Sequence, residues 1–319
     1  DQLIALGRSR SAISRARNRG VLIDVATSVV RIASSTETFR QRCMTIQLHA
    51  HARAYPIGET ILQVEDVSLR FGGVTAVNDV SFTVGAGETV ALIGPNGAGK
   101  SSLFNCISAL YQPQVGSIRF DGMELTRFTP DRIAKLGIAR TFQNIELFGG
   151  LTVMENLLLG RHRHVKANLL DAFFGTPAWV RDEVQQLIAC ERIIDLLELQ
   201  GYRDRRVRGL PYGVQKLVEI GRALTSEPKL LLMDEPVAGL TTDEKDELVQ
   251  RLSELKNALG LSILLVEHDL RVVSSLAQRI IVLEYGRKIA DGTPEAVRND
   301  PAVIAAYLGV EAETLMARA

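Results

Sequence analysis

Gly94-Pro95-Asn96-Gly97-Ala98-Gly99-Lys100-Ser101-Ser102 is the stretch on which the fold turns. It satisfies GxxxxGK[ST], and its neighbours give that pattern the setting it needs. The apolar run Thr89 to Ile93 precedes it, and Leu103, Phe104, Ile107 and Leu110 follow at helical spacing. A strand, a glycine loop and a helix in this order make a phosphate cradle. Glycines let successive backbone N–H groups curl around the β- and γ-phosphates of a nucleotide, and the helix brings the positive end of its dipole to them. Lys100 neutralises phosphate charge, and the Ser101 hydroxyl can bind Mg²⁺.

A phosphate cradle needs a second carboxylate anchor. Leu230-Leu231-Leu232-Met233-Asp234-Glu235 supplies one, an apolar strand ending in two acids. Asp234 is placed to hold Mg²⁺ through water and Glu235 to polarise the attacking water. The 134 residues from Lys100 to Asp234 are long for a simple P-loop fold and predict an inserted lobe.

On either side of these motifs the chain is orderly. Leu62 to Phe71 and Asp79 to Val84 alternate as short strands, and Gly85-Ala86-Gly87 turns into the strand Thr89 to Ile93. Ser117 to Phe120 runs into Asp121-Gly122, a hairpin signal. Residues from about 143 to 225 read as mostly helical, including Val184 to Leu199 with an apolar face of Val184, Leu187, Ile188, Ile194 and Leu197. Strands return at Lys229 to Met233, Ser262 to Val266 and Arg279 to Leu283. The helix Asp243 to Leu259 lies between the first two, a β-α-β crossover.

Lys plus Arg and Asp plus Glu balance at 37 each, so the charge carries no whole-protein nucleic-acid footprint. The balance hides an asymmetry: residues 1 to 43 hold eight Arg against three acids. Residues 1 to 60 read as an Arg- and Ser-rich extension, disordered or upstream of a natural start at Met44, and the His49/His51 pair there is too isolated for a metal site. Cys43, Cys106 and Cys190 lack metal or redox spacing and read as free thiols. His162 and His164 read as part of a solvated basic surface. No run reaches the roughly 18 apolar residues of a spanning helix, so a membrane role would come through another chain.

Three more motifs follow in order: Arg140-Thr141-Phe142-Gln143-Asn144, Leu210-Pro211-Tyr212-Gly213-Val214-Gln215, and Val266-Glu267-His268-Asp269. With the phosphate loop and the acid pair, they make the chain resemble the ABC transporter ATPase family over about residues 61 to 309. The resemblance implies an α/β fold: a P-loop NTPase (RecA-like) core, an antiparallel β subdomain, and a helical subdomain inserted at about 143 to 225, with 310 to 319 as a tail. It implies ATP and Mg²⁺ as ligands, held by residues 94 to 102. Phe71 would stack on adenine, and Gln143 would touch Mg²⁺ and water and sense a permease. His268 would contact the γ-phosphate, and residues 210 to 215 would form the signature loop.

That loop opens a helix whose face is Val214, Leu217, Val218, Gly221 and Leu224, starting at Gly213 and bounded by Pro228. Its unsatisfied N–H groups would meet the γ-phosphate bound by a second, head-to-tail subunit. Pro211 stands where the family commonly has a serine, Tyr212 where it has a glycine, Val214 where it has a glutamine, and Thr241 where it has a dimer-bridging aspartate. Contacts to ATP in such a dimer therefore rely on backbone dipoles more than on side chains.

Pro211-Tyr212-Gly213, the end of the Val266 strand, the segment from about 161 to 190 and the closing Val303-Ile304-Ala305-Ala306-Tyr307-Leu308-Gly309 resemble the branched-chain amino acid importers in particular. This implies two ATPase subunits beneath two permease chains at the cytoplasmic face of the membrane, fed indirectly by a substrate-binding protein. Importers for urea, amides or other small solutes share that layout. A soluble ABC ATPase acting on ribosomes or DNA usually carries a second cassette or a long coiled-coil insertion, and this sequence shows one cassette and neither addition. A GTPase needs NKxD, which the sequence lacks.

Overall fold

Strands β1 (Thr60–Phe71) and β2 (Val74–Gly85) alternate buried and open positions and pair antiparallel. In this computed structural model, which describes residues 59–165 and 176–307, both run longer than the alternation predicts. The register shifts between Val64 and Val67 and again before Leu69. Asp66 and Asp79 take positive φ there, with their N–H groups donating to Ser81 Oγ at 2.8 Å and Ser68 Oγ at 3.0 Å. Side-chain acceptors thus satisfy the backbone where the ladder breaks, and the strands continue past irregularities that read as ends.

Strand β3 is Thr89–Ile93, and β4 (Val115–Phe120) pairs with β1. The chain then reverses at Asp121-Gly122 into β5 (Met123–Glu124). Both turn residues have positive φ, 52° and 75°, as a two-residue hairpin requires. This four-stranded sheet has the order β2-β1-β4-β5.

The second sheet adds β6 (Ile138–Arg140), β7 (Leu230–Asp234), β8 (Ser262–Val266), β9 (Arg279–Glu284) and β10 (Arg287–Gly292). Its order is β10-β9-β3-β8-β7-β6, all parallel except the edge strand β10. Every residue of β3, β7 and β8 is buried, which explains their unbroken apolar runs. Strand β3 lies between β8 and β9, so the connection from β8 to β9 passes across it, and ligands of open α/β sheets bind beyond the carboxyl ends where the strand order switches.

The helices are α1 (Lys100–Ile107), α2 (Pro130–Leu136), α3 (Val153–Gly160), α4 (Pro177–Leu196), α5 (Tyr212–Leu224), α6 (Thr242–Leu259), α7 (Leu270–Leu276) and α8 (Pro294–Arg298), with a further helix over 301–307. Leu103, Phe104 and Ile107 of α1 join Leu62, Val64 and Phe120 of the first sheet and Val90, Leu92 and Leu264 of the second in one apolar cluster. The helix carrying the phosphate loop is thereby clamped between the sheets. Truncating Phe104 to Ala would cost about 3–5 kcal/mol.

Several expectations need correction. Leu110 is not on the α1 face: the helix stops at Ile107, Ala109 turns left-handed at φ 55°, and Leu110 is exposed. Residues 143–225 hold α3, α4 and α5, but the chain is irregular from 143 until Thr152 caps α3. Helix α4 starts at Pro177, earlier than the apolar pattern, and ends at Leu196. Its buried stripe runs through Asp182, Gln186, Cys190, Ile193 and Ile194, with Leu197 buried just past its end, while Val184, Leu187 and Ile188 are half-buried. Gln186 Nε2 donates to Asp182 Oδ1 at 3.1 Å, so polar residues one turn apart satisfy each other where the pattern expects a solvated face.

Cys106 and Cys190 are free and buried, and burial pushes both thiols up to about 12, so neither is a reactive thiolate. The described residues fall into two units: residues 59–163 and 190–307, which carry both sheets, and residues 164–165 and 176–189, which are mainly helical. The extension with Cys43, His49 and His51, the Leu308-Gly309 end of the closing motif and the tail 310–319 lie outside the described residues.

Candidate active site

The loop after β3 is shaped by what its glycines exclude. A Cβ on Gly94, at φ 146°, would stand 2.1 Å from the carbonyl oxygen of Leu283, and one on Gly99, at φ 96°, 2.2 Å from that of Ala76. These two glycines let the loop lie against β9 and the start of β2. Gly97 has φ 80° and open space around it, so backbone conformation alone demands glycine there. The turn of β9 into β10 completes the support, with Gly286 N–H donating to the Ala98 carbonyl at 3.1 Å.

Lys100 folds back over this loop, its Nζ donating to the carbonyls of Gly94 at 2.7 Å and Pro95 at 2.8 Å. Burial holds its ammonium below the usual lysine range, against the opposing pull of Glu235 and Asp234. Gly99 precedes α1 in the left-handed region and offers no side-chain cap, which leaves the first N–H groups of the helix to a ligand. Asn96 and Ser101 are exposed, Pro95 and Ser102 half-buried. A loop closed to side chains and rich in backbone donors, with one buried cation, fits a polyphosphate.

The two acids at the end of β7 sit in different surroundings. Asp234 is buried, and its Oδ2 accepts from Arg140 at 2.9 Å. Arg140 ends β6, bonds Asn105 Oδ1 at 2.7 Å and lies over the rings of Phe104 and Phe142 at 5.7 and 5.3 Å. Glu235 turns sharply out of the strand at φ 49°, a conformation that costs a non-glycine residue about 1–2 kcal/mol. The turn delivers its carboxylate to two partners. Gln143 Nε2 donates to Oε2 at 2.8 Å, and His268 Nε2 lies 2.7 Å from Oε1. Residues far apart in sequence thus converge on one carboxylate that lies near enough to Lys100 to act on its charge.

The ends of β7 and β8 are tied together beneath this group. Buried Glu267 accepts from Val237 N–H at 3.1 Å and His268 N–H at 2.9 Å. Asp269 caps α7 through Arg271 N–H at 3.1 Å and accepts from Lys245 of α6 at 2.9 Å. That bond holds the Asp269 carboxyl below the ordinary range.

Helix α5 starts one residue before the expected glycine, at Tyr212, because Pro211 at φ −53° and ψ 150° makes the entry. No side chain caps it. Gly213 sits in its first turn, where a Cβ would come within 2.8 Å of Glu244 Oε1. The expected apolar face is only partly right: Val218, Gly221 and Leu224 are buried, but so are Ile220 and the charged Lys216 and Glu219. Thr241 is the N-cap of α6 in a reciprocal box, accepting from Glu244 N–H at 3.4 Å while Glu244 Oε2 accepts from Thr241 N–H at 2.9 Å. Its hydroxyl is committed within its own chain.

Phe71, at the end of β1, is 47% exposed and packed edge-on against Tyr111 at 5.1 Å between centroids. Sequence patterns did not single out Arg140, Glu267, Lys216 or Glu219. Glu267 carried a signal, an acid ending an apolar strand as Asp234 does. Arg140 carried none, since only the sheet order sets β6 beside β7.

Comparison with known proteins places the chain in a family. A model of the ABC transporter family matches residues 77–238, and one of branched-chain amino acid ATP-binding cassette transporters matches residues 287–313. The chain is 42% identical to the high-affinity branched-chain amino acid transport ATP-binding protein BraF of Pseudomonas aeruginosa, over 78% of this chain and 98% of that one. It is 39% identical to LivG of Escherichia coli, of the same description, over 79% and 99%. A crystal structure of the ADP conformation of an ATP-binding cassette superposes with a TM-score of 0.69 at 34% identity, covering 78% of this chain and 99% of that one. A nucleotide-free cassette gives 0.68 at 33%, covering 78% and 98%. On fold and relatives alike, the chain belongs to the ABC transporter family as one of its ATP-hydrolysing cassettes.

Proposed function

We propose that this cassette hydrolyses ATP to drive uptake of branched-chain amino acids through a separate membrane permease. The observation that carries the hydrolytic part is the Glu235 carboxylate, bonded at one oxygen by Gln143 and at the other by His268. Glu235 acts as the base that orients the attacking water and takes its proton. Gln143 and His268 fix its rotamer, and His268 reaches the γ-phosphate. The loop from Gly94 to Ser102 binds the phosphates through backbone N–H groups and Lys100, and Phe71 stacks on the adenine.

The donor set fits Mg²⁺: the Ser101 hydroxyl, the Asp234 carboxylate and the Gln143 side-chain carbonyl are hard oxygen ligands. When bound, the ion would neutralise charge on the β- and γ-phosphates. Arg140 holds the Asp234 carboxylate in place for it.

Residues 61–309 are read as the ATPase unit, with 143–225 as its helical subdomain. Two such subunits, identical or paralogous, pair head to tail so that the uncapped start of α5, around Gly213, meets the γ-phosphate held by the partner. They sit beneath the permease at the cytoplasmic face, and a substrate-binding protein delivers cargo from the other side. No helix among the described residues is long and apolar enough to cross a membrane. The relatives' descriptions support the amino acid cargo.

The test is to purify the full chain with whatever membrane protein it retains in detergent and to reconstitute that complex with its binding protein. ATP-dependent accumulation of labelled leucine in the vesicles is expected. Accumulation of urea or a short amide instead would reassign the cargo, and recovery with ribosomes or DNA in place of a permease would overturn transport.

A further inference from the structure

Three charged residues of α5 at three-residue spacing, Lys216, Glu219 and Arg222, hold the segment that carries Gln143. Lys216 Nζ donates to the Gln143 carbonyl at 2.8 Å. Glu219 Oε1 accepts from Phe142 N–H at 3.4 Å. Arg222 donates to the Glu146 carbonyl at 2.5 Å. Segment 142–146 is thus fastened from one helix face by side chains, with no strand or helix of its own.

Lys216 and Glu219 are 1% and 2% exposed, and their charged groups lie 3.8 Å apart. Burying two charges is costly before they pair, so a surface that needed only packing would be better served by apolar residues of similar volume. What the charges supply here is direction. Lys216 bonds the backbone of Gln143 itself and Glu219 that of Phe142 beside it, and the Gln143 side chain reaches Glu235 at 2.8 Å.

We propose that Lys216 and Glu219 are positioning residues for hydrolysis. They fix the Gln143 backbone so that its amide stays on the Glu235 carboxylate, and they make that contact depend on where α5 stands. Because α5 begins at the signature loop, its placement and the geometry at Glu235 become one mechanical unit within a subunit. This rests on the role proposed above for Gln143.

The test is a cycle of K216M, Q143A and their combination in the full chain, reading kcat and KM for ATP. K216M is expected to lower kcat by about tenfold or more with KM within about twofold, since the phosphate loop is untouched. In the Q143A background the same change should alter kcat by less than about twofold, because there is no amide left to position. K216R, which keeps the cation and a donor, should recover most of the rate. The apolar pair K216M/E219L removes both members of the buried pair and should melt closer to the parent temperature than K216M alone while remaining slow.

Equal losses from K216M in both backgrounds, or full rate in K216M/E219L, would overturn the positioning role. Full rate in Q143A alone would overturn the role of Gln143 itself and the clamp with it.

Discussion

Helices α1 and α6 both follow buried parallel strands, yet they begin in opposite ways. Helix α1 opens on Gly99 in the left-handed region with no side-chain cap. Helix α6 opens on Thr241 in an extended conformation with a reciprocal capping box to Glu244. At α6 the first backbone donors are satisfied inside the chain, so the start is purely structural. At α1 they are left for something else. Helix α5 sides with α1, because Pro211 supplies no cap. The open starts of α1 and α5 are the ones proposed above to meet phosphate, and α2, whose Thr129 makes no side-chain cap bond, shows that an open start alone does not mark a site.

The sharpest way to break this contrast is to give α1 a side chain at its entry. Gly99→Ala places a Cβ 2.2 Å from a backbone carbonyl in a left-handed conformation, and neither obstacle can move cheaply. Loss of more than about 3 kcal/mol of stability is expected in denaturant melts, with nucleotide affinity lost in whatever remains folded. At α6 the corresponding change should be mild. Thr241→Ala removes the cap and should cost about 1 kcal/mol in the same melts, with kcat within about twofold of the parent. A large fall in kcat would mean that Thr241 does more than cap. Thr241→Asp, which can also cap, should keep the stability.

The smallest effect lies at the next closed start, α7. Lys245 lowers the Asp269 carboxyl below its unfolded value, so its contribution is complete above the unfolded value and fades as pH falls through the folded one. Asp269→Asn keeps a cap and loses the ion pair. It should cost up to about 1 kcal/mol at pH 7, shrinking toward zero as pH drops below about 3.9. Parallel stability curves for parent and variant down to acid pH would contradict the assignment.

The contrast also shows what sequence could and could not reveal. The β3-loop-α1 unit was legible because every contributor is contiguous: an apolar run, glycines at fixed places and a helical face. The acid pair was legible for the same reason. The partners of those acids were harder, since Gln143 and His268 reach Glu235 from 92 and 33 residues away. They were found only through resemblance to a family. Arg140 was missed because β6 is three residues long and its place beside β7 is set by the whole sheet. Lys216 and Glu219 were missed because charges three apart on a helix usually mark a solvated face, and only the packing of segment 142–146 onto α5 shows that they are buried.

Hydrolysis turns on Glu235 as the proposed base. Glu235→Gln keeps the shape and an acceptor but cannot take a proton. ATP affinity by calorimetry should stay within about threefold of the parent, while phosphate release in the full complex falls by about 10²–10⁴. Hydrolysis by Glu235→Gln at the parent rate would contradict the assignment of Glu235 as the base.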